Sequence, residues 1–127
     1  MPFDWINYLT LAEALAQKPD EASKRTAISR AYYFVYNIAS DRVLANSGRF
    51  PGGESSHNWC WNKYQKGPDP ACMQLGINGQ RMKARREWAD YKKVHKLRID
   101  DEVQLMLQEA RDFQRDIGTL PARFPLP

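Results

Sequence analysis

The chain of 127 residues is 43% hydrophobic and 12% aromatic, which suits one folded domain with a single core and argues against a disordered chain. No apolar run approaches the ~20 residues that span a bilayer, and "MPFDWINYLT" has neither a basic leader nor a small-residue cleavage site, so a cytosolic protein is expected. The formal charge of +4 is unevenly spread: residues 1–40 are balanced, 41–98 carry +7 and 99–127 carry −3.

In chain order, "NYLTLAEALAQ" reads as a first helix, with Leu11 and Leu15 four apart and Ala12 and Ala16 beside them. Pro19 and Asp20 stop it and open a second. From Glu21 to about Asn46 no Gly or Pro intervenes, and Ile28, Tyr32, Val35, Ala39 and Val43 recur at helical spacing. "NSGRFPGGESS" is a loop by composition. Glu54 to Lys66 forms a third helix rich in Trp59, Trp61 and Tyr64, which belong either to the core or to a dimer face. "KGPDPA" breaks it, with Asp69 and Pro70 as cap and first-turn pair of a fourth helix, Ala71 to about Trp88, against which Gly76 and Gly79 argue. Asp100, Asp101 and Glu102 suit the start of a fifth helix, whose stripe of Val103, Met106, Leu107, Ala110, Phe113 and Ile117 ends at Gly118. Three prolines keep the tail after Gly118 from being helical throughout. With no period-2 segment, the expected fold is all-α: an antiparallel up-and-down bundle of four or five helices in one domain, residues 1–127.

Cys60 and Cys72 read as two ordinary thiols. His57 and Cys60 have ligand-like spacing, but Cys72 lacks a second nearby His or Cys, so no metal site and no cofactor is expected. The densest charge lies from Arg81 to Arg98, with eight bases against two acids. Such an excess attracts phosphate, and it also describes a solvated helix face. Arg81, Lys83, Arg85, Arg86, Lys92 and Lys93 are the candidate RNA or phosphate contacts, because guanidinium offers a fixed fork of donors and stays charged. Arg30, set among aromatics, needs an anion if buried. Asp90 is the candidate partner, in a polar lock to which Tyr33 and Tyr91 add hydroxyls.

"EASKRTAISRAYYFVYNIASDRVL" resembles the second helix of HEPN domains (higher eukaryotes and prokaryotes nucleotide-binding). Members with a Ser-Arg-x-Tyr-Tyr motif follow it with a His-x-x-Trp-like element and Arg-x-x-x-Ala-Asp-Tyr; here these read "HNWCW" from His57 and "RREWADY" from Arg85, and the likeness spans Leu11 to Ala110. The resemblance implies a helical bundle that dimerises and acts on RNA, often in a toxin–antitoxin or defence setting beside a nucleotidyltransferase-like antitoxin. It also implies, for the ribonuclease members, metal-independent cleavage by an Arg followed four to six residues later by a His. Arg85-x4-Asp90 keeps the spacing but puts aspartate in the histidine position, and His95 lies ten residues past Arg85. An ordinary aspartate, titrating near pH 4, does not donate a proton at pH 7, so the usual Arg/His chemistry is not expected. If cleavage occurs, Arg85 or Arg86 stabilises the phosphorane and Asp90 or His57 is left to deprotonate the 2′-hydroxyl, with Tyr91 a further candidate of the catalytic site. Three functions therefore stand side by side: an RNA- or nucleotide-binding module, a ribonuclease with a rearranged site, and a dimeric interaction scaffold.

Overall fold

The computed structural model describes residues 2–94 and 98–127, so His95 lies outside the described residues. Five helices follow one another: α1 (Ile6–Ala16), α2 (Glu21–Ser47), α3 (Ser56–Gln65), α4 (Pro70–Tyr91) and α5 (Ile99–Thr119). No strand occurs among the described residues, and the expected all-helical bundle is what forms. No helix among them is long and apolar enough to cross a membrane.

α2 is the central element and packs against all four others. Its expected stripe, Ile28, Tyr32, Val35, Ala39 and Val43, is wholly buried, and Ala27, Ala31 and Phe34 widen that face. The α5 stripe is equally faithful: Val103, Met106, Leu107, Ala110, Phe113 and Ile117 are all buried. On α1 the inward face is Leu9, Ala12 and Ala16, while Leu11 points outward, 45% exposed.

Caps set the boundaries. The carboxylate of Asp20 accepts from the Ser23 N–H at 2.9 Å and that of Asp69 from the Cys72 N–H at 2.9 Å, each satisfying a donor the first helical turn leaves open. Pro70 starts α4 where its missing N–H costs nothing. α2 closes on Gly48, whose φ of 76° is a conformation few side chains tolerate. α5 runs one residue beyond Gly118, to Thr119, so Gly118 does not end it. The helix stops ahead of Pro121, which holds Leu120 extended, and Arg42 of α2 donates to the carbonyls of Ile117, Leu120, Pro121 and Phe124 and ties the proline-rich tail to the bundle.

Gly76 and Gly79 prove to be packing residues inside an unbroken α4. A Cβ at Gly76 would come within 2.9 Å of the Gln65 backbone nitrogen, and one at Gly79 would overlap the ring of Trp61. The two glycines let α3 and α4 approach closely enough to bury Trp61 completely. Trp59, Trp61 and Tyr64 are thus core within one chain, and a dimer face built on them is ruled out. Both cysteines are free and buried; burial pushes the Cys60 thiol up to about 12, so it stays protonated and unreactive.

Candidate functional site

Elements 25 to 61 residues apart in sequence meet on one side of the bundle. α3 brings His57, whose Nδ1 lies 2.6 Å from the hydroxyl of Tyr32 on α2. The imidazole stacks on Tyr36, ring centroids 3.9 Å apart and planes within 4°. Behind Tyr32, the indole N–H of Trp61 donates to the same hydroxyl at 3.1 Å. α4 brings Arg86, which lies 5.0 Å from the centroid of Tyr33 and donates to Asp90 at 2.8 Å. Asp90 also accepts from the Ser29 hydroxyl at 3.2 Å, joining α4 to α2. Lys83, one turn before Arg86, reaches Asn58 Oδ1 at 3.3 Å and Glu87 at 3.1 Å.

Burial, then the Arg86 and Lys83 charges, hold the His57 pKa below its usual 6.5, so the ring is neutral at pH 7. For Arg86, burial acts to lower the pKa, but Tyr33, Asp90 and Tyr91 together outweigh it and reinforce the charge. Tyr32 is fully buried, which raises its pKa well above the ordinary phenol value and keeps its proton in place.

The expected lock between Arg30 and Asp90 is not what forms. Asp90 pairs with Arg86, four residues before it on its own helix, with its side chain 26% exposed. Arg30 lies instead over the rings of Tyr8 and Tyr33, 4.9 Å from each centroid, and no carboxylate among the described residues pairs with it. Two aromatic faces, together with partial exposure to water, meet the need of that cation for a counter-charge. Tyr33 therefore carries two guanidiniums against its ring and contributes through its face.

The basic residues divide between two faces of α4. Arg85 is nearly buried against α5, pairing with Glu102 at 3.0 Å and with Glu109. Arg81 joins the same network through Glu109 at 3.0 Å. These two arginines are not beside His57 or Asp90 in the cluster, as a shared phosphate site would require. Lys83 and Arg86 take the His57 side. Lys92 and Lys93 follow the end of α4 and are exposed, as is Tyr91, 72% accessible, whose hydroxyl accepts from Arg86 at 3.3 Å.

One residue that sequence reasoning passed over positions this end of α4. Arg25 of α2 donates to the carbonyls of Ala89, Lys92 and Lys93 while its guanidinium lies 5.1 Å from the Trp88 ring centroid. A cation on the open carbonyls of a helix C-terminus is favourable, and here it anchors the Asp90–Tyr91 segment to α2. Among the described residues no group of three or more His, Cys, Asp or Glu could hold a metal ion. Two hollows of about 250 Å³ lie in the seam between α4 and α5, one beside Arg85 and Trp88 and the other beside Asn78 and Asp116.

What fold and site define together is a five-helix all-α bundle with a tyrosine–histidine–arginine cluster on the face of α2, α3 and α4. No family model matches the chain, and neither the curated proteins nor the solved structures include a match to it.

Proposed function

We propose that this chain is an HEPN-like domain that binds RNA or nucleotide phosphates through the face carrying His57, Lys83 and Arg86, continued by Lys92 and Lys93. The observation that carries the reading is convergence: residues of the Ser-Arg-x-Tyr-Tyr and His-x-x-Trp-like elements meet Asp90 of the Ala-Asp-Tyr segment in one cluster, with Arg86 in place of Arg85, which turns to α5. Tyr32 meets His57, Ser29 meets Asp90, and Arg86 lies over Tyr33. A core does not require a histidine and an arginine set beside Tyr33 and Tyr36 at a partly exposed surface.

Chemically the face suits a phosphate beside a base. Arg86 uses two of its five N–H groups on Asp90 and Tyr91, which leaves donors for phosphate oxygens. The exposed Tyr91 ring is a stacking platform for an unpaired base. Asp90 and Glu87 already balance Arg86 and Lys83, so an incoming phosphate must compete with them, and binding of modest strength and steep salt dependence follows. In the setting the resemblance implies, the chain works as a homodimer in stress response, toxin–antitoxin function or defence, with a nucleotidyltransferase-like antitoxin as its partner.

The test is to incubate the purified chain with end-labelled RNA in EDTA and to follow retention and cleavage together. Retention of intact RNA, weakened by Arg86→Glu, is the expected result. Metal-independent cleavage abolished by the same change would establish the ribonuclease instead, and no retention at low salt would favour the interaction scaffold.

A further inference from the structure

We propose that the Trp61–Tyr32–His57 chain holds His57 as the Nε2–H tautomer, so that this histidine is a hydrogen-bond donor to a bound phosphate and not the base of a cleavage reaction; the donor role rests on the phosphate-binding reading above.

The argument is one of direction. An indole N–H can only donate, so the 3.1 Å contact from Trp61 Nε1 uses a lone pair of the Tyr32 hydroxyl. The hydroxyl keeps one proton to place. Tyr32 is fully buried, water cannot take that proton, and the remaining partner of its hydroxyl is His57 Nδ1 at 2.6 Å. The phenol therefore donates to Nδ1, and a neutral imidazole that accepts at Nδ1 carries its proton on Nε2. The opposite tautomer would give the Tyr32 oxygen two incoming N–H groups and strand its own proton in the core.

Protonating His57 would do the same. An imidazolium needs Nδ1–H, which again turns the Tyr32 proton away from its acceptor. The charged groups facing the ring point the same way. From α4, Arg86 and Lys83 oppose a positive imidazole while Glu87 favours it. From α2 come Tyr32, Tyr33 and Tyr36, all in ring contact with it. A neutral Nε2–H beside two cations is suited to an anionic oxygen, and it has no lone pair with which to deprotonate a 2′-hydroxyl.

The test is long-range ¹H–¹⁵N correlation on labelled protein at pH 7.5, with His95→Gln leaving His57 as the single histidine. The expected spectrum shows a protonated Nε2 and an Nδ1 with the shift of an unprotonated acceptor. Tyr32→Phe, which removes only the hydroxyl, is expected to mix the two tautomers and to raise the pH at which the ring titrates. A protonated Nδ1 in the parent, or an averaged pair of shifts there, overturns the proposal, whether or not the variant folds. Titration with inorganic phosphate then separates this claim from the reading beneath it. Joint shifts of His57 Nε2 and Arg86 Nε are expected. Movement of Arg86 alone overturns the donor role but leaves phosphate binding intact, and movement of neither overturns both.

Discussion

Asp90 links two helices, accepting from Ser29 while pairing with Arg86, yet about a quarter of its side chain meets water. Truncating one partner of a deeply buried pair costs about 3–5 kcal/mol. A solvent-screened pair is worth about 1 kcal/mol or less. Asp90→Ala is therefore expected to cost about 1 kcal/mol in a urea titration, and a loss near 4 kcal/mol would mean that the pair acts as a buried lock after all. His57 makes a separate prediction in pH. Its folded pKa lies below the ordinary 6.5, so below that pH the unfolded chain takes up a proton that the folded one resists. Its contribution to stability is full above pH 6.5 and is lost as the pH falls toward the lower folded value. Thermal melts between pH 7.5 and 5 should show a fall in the parent that is shallower in His57→Gln; identical slopes would show that the ring is not held neutral.

At the scale of helices, two features of the sequence carried information that only packing could decode. Gly76 and Gly79 look like helix-weakening residues because propensity is a local quantity, whereas the reason for them is the backbone of α3 and the ring of Trp61. Gly79→Ala improves helix propensity by about 1 kcal/mol. Overpacking a well-filled core costs about 1–3 kcal/mol. With the Trp61 ring in the way, the second effect is expected to win, so the variant should melt lower; a higher melting temperature would mean that α3 and α4 separate freely. Arg42 and Arg25 were likewise illegible, because backbone carbonyls leave no mark in sequence. Arg42→Met keeps the apolar stem but strands four carbonyls around the end of α5, and it should cost about 2–3 kcal/mol. Arg42→Lys should rescue little of this, since an ammonium cannot reproduce the fork. Full rescue by lysine would make charge, not geometry, the operative property.

For the whole molecule, the 3.6-residue period made α2 and α5 readable almost to the residue, since α5 buries one continuous stripe and α2 buries its own stripe within a wider buried surface. The candidate site was half readable. Its members were visible as chemistry, but their grouping was not: Arg85 and Arg86 are adjacent in sequence and project about 100° apart around a helix, one toward the acids of α5 and the other toward Tyr33. The Arg86–Asp90 pair could have been found from its spacing of four. The charge asymmetry has a partly internal meaning too, because the acidic α5 neutralises Arg81 and Arg85 and its Asp100 pairs with Lys24. The cations left for the proposed RNA contact are those of the other face, Lys83 and Arg86. The most direct measurement is RNA retention against salt for the parent, for Lys83→Glu with Arg86→Glu, and for Arg81→Gln. Removing one cation that neutralises a phosphate should lower the slope of log affinity against log salt by about 0.7 for a single strand. The double variant is expected to bind weakly with a flatter slope while Arg81→Gln behaves as the parent. Unchanged retention in the folded double variant, or an equally large drop in Arg81→Gln, would contradict the assignment of this face.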